Sequence, residues 1–60
     1  MRELAHRAGD GFEVSLLWGE EDGSLKVVVQ DWRTDECFEL EARADNALDV
    51  FHHPFAYRAT

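Results

Sequence analysis

The chain predicts an α+β fold: a four-stranded antiparallel β-meander with one short C-terminal α-helix packed on one face. Three observations carry that expectation. Stretches of period-2 apolar alternation are separated by three clusters, AGDG at 8–11, GEEDG at 19–23 and DWRTDE at 31–36, rich in the residues that turns require. After residue 42 the apolar spacing switches to threes and fours, the period of an amphipathic helix. A chain of 60 residues makes one domain at most, so residues 1–60 are read as a single small unit with a thin core.

The first strand has two readings. RELAHRA holds good helix formers, yet a strand is favoured because the following loop brings Leu4 and His6 into the apolar register. Directly paired residues in an antiparallel ladder share a face, which allows the loops to be tested. A three-residue loop at Gly9-Asp10-Gly11 pairs Ala8 with Phe12, His6 with Val14 and Leu4 with Leu16. A two-residue loop at Asp10-Gly11 would pair Arg7 with Val14 and Ala5 with Leu16 and mix the faces, so the longer loop is preferred.

The other two reversals read more simply. A four-residue loop over 20–23 pairs Trp18 with Leu25, Leu16 with Val27 and Val14 with Val29. Another over 32–35 pairs Val29 with Phe38 and Val27 with Leu40. One apolar face results, and its reverse is mostly polar, with Lys26 opposite Glu41 and with Ala5, Leu17, Val28 and Cys37 as interruptions. In RADNALDVF, Ala44, Ala47, Leu48 and Phe51 form the inward side of two helical turns. Pro54 disfavours helical geometry at His53, so the helix ends at about His52. Phe51, Phe55 and Tyr57 are then expected to close over the sheet as an aromatic plug, each able to bury roughly 150–250 Å².

Charge and composition narrow the function. The 13 acidic residues against 6 basic ones give a formal net charge of −7, which repels phosphate backbones and anionic membranes. No nucleic-acid or membrane partner is expected. The basic residues do not gather into a stripe, and no apolar run approaches the roughly 20 residues of a membrane span. Cys37 is the only cysteine, so no internal disulfide forms, and a reduced, cytoplasmic setting is expected.

Candidate sites are few. His52 and His53 with Asp49 supply metal-ligand types, with Asp49 and His53 at helical i, i+4 spacing, although no fourth ligand presents itself. The bland reading has one histidine capping helix carbonyls and the other facing solvent. His6 on the core face reads as a buried neutral histidine or as a pH-sensitive contact. Cys37 sits among Glu36, Glu39 and Glu41, which oppose thiolate formation, and no nucleophile triad or phosphate loop occurs, so an enzyme is not expected. Trp32 beside Arg33 lies in an exposed turn and pairs the two residue types that dominate interface energies. Leu17 and Val28 extend a contact surface on the second face.

The run ALDVFHHPFAY, together with VSLLW and RTDECFELE, resembles a family of very short, uncharacterised actinobacterial proteins. The likeness covers most of residues 13–57 and is most specific over 48–57. In that pattern the loop before the fourth strand tends to carry glycine where this chain has Asp35, and aspartate tolerates left-handed geometry. The resemblance implies no activity, and no cofactor is expected. The sequence therefore predicts a small non-enzymatic protein-interaction or structural module, with a second copy of the chain among the expected partners. The alternative is a small-ligand or metal-binding protein using the C-terminal histidines.

Overall fold

Four strands follow one another across the sheet in chain order in the computed structural model, which describes residues 2–58. They are β1 (Arg2–Gly9), β2 (Phe12–Trp18), β3 (Leu25–Asp31) and β4 (Glu36–Ala42), followed by two short helices, α1 (Ala47–His52) and α2 (Pro54–Arg58). Every neighbouring pair is antiparallel. The expected meander and its helical cover are both present.

Two of the three reversals match the sequence reading. Trp18 pairs with Leu25, Leu16 with Val27 and Val14 with Val29, while Val29 pairs with Phe38 and Val27 with Leu40. The loop over 20–23 is closed by Gly19, whose amide donates to the Ser24 carbonyl at 2.8 Å. Asp35 takes φ 58° in the next loop, the left-handed geometry that aspartate tolerates.

The first hairpin differs. Gly9 pairs with Phe12, Arg7 with Val14, His6 with Ser15 and Ala5 with Leu16, so the loop is the two-residue Asp10-Gly11. Both residues have positive φ, 54° and 85°, as in the type I′ turn whose twist matches that of the flanking strands. The expectation of a three-residue loop, with Leu4, His6 and Ala8 on the core face, is overturned. His6 and Ala8 face outward, Ala5 packs against the core instead of the outer face, and the register shifts between Glu3 and Ala5. Leu4 is the extra residue of that bulge and is 52% exposed.

What places an arginine on the core side is a partner far along the chain. The Arg7 guanidinium donates from Nε and Nη2 to the Phe51 carbonyl at 3.2 and 3.0 Å and from Nη2 to the His52 carbonyl at 3.1 Å. These are last-turn carbonyls of α1, which lack partners within the helix. The guanidinium carbon also lies 5.5 Å from the centroids of both Phe12 and Phe51. His6, on the outer face opposite Ser15, lies 3.6 Å from Glu13 and close to solvent.

The core is small. Val14, Leu16, Val27 and Val29 from the sheet meet Ala47, Val50 and Phe51 from α1. Burying each large apolar side chain contributes about 1.5–3 kcal/mol, so a handful of residues holds the fold. Ala44 and Leu48, expected inward, are exposed. The cause is the start of the helix: residues 43–46 form a turn in which Asn46 Oδ1 accepts from the Arg43 amide at 2.8 Å, and α1 begins only at Ala47.

Helical structure also continues past Pro54. The His53 amide still donates to the Asp49 carbonyl at 2.8 Å. Pro54 has no N–H to continue the ladder, but it suits the first position of a new helix. Pro54 and Phe51 are buried and form the centre of the plug. Phe55 meets Phe12 and Phe38 edge-on at 5.5 and 5.7 Å, whereas Tyr57, expected in the core, turns outward to donate from its hydroxyl to Asp49 Oδ2. Helices of six and five residues fall well below the ~12–15 needed for independent stability; they exist because the sheet and Arg7 hold them.

Candidate functional site

At the end of the sheet where β1 meets β2 and β3 meets β4, two turns lie side by side. Asp31 closes β3 with its side chain on the core face and is 5% exposed. Its Oδ1 accepts from the Arg33 backbone amide at 2.9 Å and from Arg33 Nε at 3.0 Å, while Oδ2 accepts from Arg33 Nη2 at 3.0 Å. This is an Asx turn reinforced by a bidentate ion pair. The Arg33 guanidinium holds the Asp31 carboxyl below its ordinary range, against the opposing effect of burial, and Asp31 raises Arg33 in return.

The same arginine ties the neighbouring turn. The Trp32 amide donates to the Gly11 carbonyl at 2.8 Å, and the Arg33 guanidinium carbon sits 5.5 Å from the Phe12 ring centroid. A Cβ at Gly11 would come within 2.6 Å of Arg33 Cγ. Gly11 is therefore required twice, for positive φ and for the close passage of that side chain. Trp32 emerges from this locked turn 60% exposed.

The aromatic plug braces the same end. Arg58 Nη2 donates to Glu36 Oε2 at 2.7 Å, and its guanidinium carbon lies 4.3 Å from the Phe38 centroid, within cation–π range. Arg58 is the leading cause of a lowered Glu36 carboxyl. Trp32 and Arg33, expected as contact residues, thus share one rigid turn but differ in availability: Trp32 is open, and Arg33 is engaged by Asp31 and Phe12. Leu17 and Val28 lie elsewhere, on the central strands of the face opposite the helices, both half-buried.

The C-terminal acid and histidines do not assemble. Asp49 accepts the Tyr57 hydroxyl, the His52 ring packs edge-on against Phe51 at 5.3 Å, and His53 follows the last turn of α1. Among the described residues no group of three or more His, Cys, Asp or Glu side chains is gathered for a metal. Cys37 is exposed and pairs with Gln30 across the ladder. At the other end of the sheet, Glu20, Glu21 and Asp22 line an open depression of about 710 Å³ with Lys26 and Glu41.

Two structurally important residues, Arg7 at the first hairpin and Asp31 at the site, were not singled out from the sequence. Arg7 gave no local signal, because its partners lie 44 and 45 positions away. Asp31 did carry one: aspartate two positions before arginine at a strand end is the spacing of an Asx turn with a side-chain fork. Among the described residues no helix is long and apolar enough to cross a membrane. No family model, curated protein or solved structure matches the chain.

Proposed function

We propose that the chain is a small non-enzymatic protein-interaction module that presents Trp32 to a partner protein, with a second copy of the chain as one such partner. The observation that carries this reading is a tryptophan 60% exposed on a turn whose geometry is already set by Asp31, Arg33 and the Gly11 carbonyl. Ordering a loop on binding costs free energy; a preformed turn has already met that part of the cost. Tryptophan is among the residue types most enriched in the positions that dominate interface energy.

The sheet edges support contact through turns and faces. β1 is interrupted by the bulge at Leu4, and β4 carries Glu36, Glu39 and Glu41. Bulges and charges of this kind discourage strand addition. Wild type and Trp32→Ala used side by side as bait test the proposal, followed by a direct affinity measurement with any purified partner. Sedimentation velocity across the micromolar range covers the second copy. The variant is expected to weaken binding at least about tenfold, or about 1.4 kcal/mol. Equal binding by both, or a monomer that captures nothing, refutes it.

A further inference from the structure

We infer that the sheet face opposite the helices docks a basic segment of a partner protein rather than a second copy of this chain. This rests on the interaction-module reading but uses a surface separate from the Trp32 turn. Both helices pack on the core side, leaving this face without cover among the described residues. At its centre Leu17 and Val28 stand as diagonal neighbours on β2 and β3, since Leu17 pairs with Lys26 and Ser15 with Val28.

Around that apolar centre the face is acidic. The registers set Glu3, Glu13, Glu39 and Glu41 on this side against one lysine, Lys26. His6 lies 3.6 Å from Glu13 and balances it only when protonated. Each arginine is engaged elsewhere: Arg7 with helix carbonyls, Arg33 with Asp31 and Arg58 with Glu36, Arg2 with Glu20 and Arg43 with Asp45. The acidic field continues around the loop end through Glu20, Glu21 and Asp22.

A two-fold contact would lay this face on its own copy and set carboxylates against carboxylates. A segment alternating basic and apolar side chains instead meets both the rim and the centre, and charge steering of this kind raises association rates by about 10–1,000-fold at low salt.

The test uses the full chain, isotope-labelled, titrated with two synthetic peptides and followed by amide chemical shifts. One peptide alternates lysine with valine, the other lysine with glycine. The lysine–valine peptide is expected to perturb residues 13–17, 26–30 and 37–41 and to bind at least about tenfold tighter than lysine–glycine, because charge alone is screened while the apolar centre is not. Glu39→Lys, at an exposed position, is expected to weaken binding at least about fivefold with unchanged thermal unfolding. No binding, equal affinity for the two peptides, or shifts spread over the helices and the Trp32 turn would overturn the inference. So would concentration-dependent shifts on this face without peptide, which would mark a second copy. Trp32→Ala leaves this face intact, so its result bears on the interaction-module reading alone.

Discussion

Replacing Arg7 with alanine removes the link between the first strand and the last turn of α1, and the structure sets the size of the effect. Three hydrogen bonds from the guanidinium to the Phe51 and His52 carbonyls are lost. A hydrogen bond from a charged donor contributes about 1.5–3 kcal/mol where it is buried, and less here because Arg7 is half-buried and His52 is exposed. A cation at a helix C-terminus adds about 0.3–1 kcal/mol, and contact with the Phe12 and Phe51 rings adds about 0.5–1 kcal/mol.

These contributions overlap, and a net loss of about 2 kcal/mol is expected. Small domains are stable by about 0.05–0.15 kcal/mol per residue, so that loss is a large fraction of the whole. At about 4–8 °C per kcal/mol for a domain of this size, the melting temperature falls by about 8–16 °C. Far-ultraviolet circular dichroism with heat and with urea measures it. Arg7→Lys should fall between, since lysine keeps the charge but not the fork. His6→Ala, one residue away on the outer face, should cost less than about 0.5 kcal/mol. A larger loss from His6→Ala than from Arg7→Ala would refute the observed register and restore the three-residue loop.

Two pH experiments follow from the carboxylate contacts. Tyr57 is the only tyrosine, and the hydrogen bond to Asp49, then burial, then the Asp49 charge, raise its phenol above the ordinary value. The neutral phenol is the form that folding favours, so this stabilisation is present below the unfolded-state pKa and lost as pH rises through the folded one. Tyrosinate absorbance should therefore appear at higher pH than in a model peptide and move back in Asp49→Asn; an unshifted midpoint sinks the reading. In acid the sign reverses. Arg33 and Arg58 hold Asp31 and Glu36 below their ordinary carboxyl values, so their stabilisation is complete above the unfolded range and disappears as pH falls through the folded values. Melting temperature should drop on acidification there, and Asp31→Asn should flatten that slope; an identical slope in the variant contradicts the pair's role.

Local patterns made the meander readable. Val14, Leu16, Val27, Val29, Phe38 and Leu40 share a face because period 2 leaves each strand only two choices and the turn residues select between them. The same logic failed at β1, where the rule that keeps arginine off an apolar face preferred the wrong loop. That rule ignores a carbonyl pair 44 and 45 residues away. At the candidate site Trp32 stood out as an exposed turn residue, whereas the engagement of Arg33 by Asp31 and Phe12 needed coordinates.

The amino-acid order alone thus determined the strand count, two of the three registers and the acidic character of the surface, since each depends on neighbours a few positions apart. Tertiary structure alone decided the first hairpin, the second helix beyond Pro54 and the separation of Asp49, His52 and His53. Those outcomes depend on which groups meet across the folded chain: orphan carbonyls meeting a guanidinium, a buried proline opening a second helix, a phenol reaching a carboxylate.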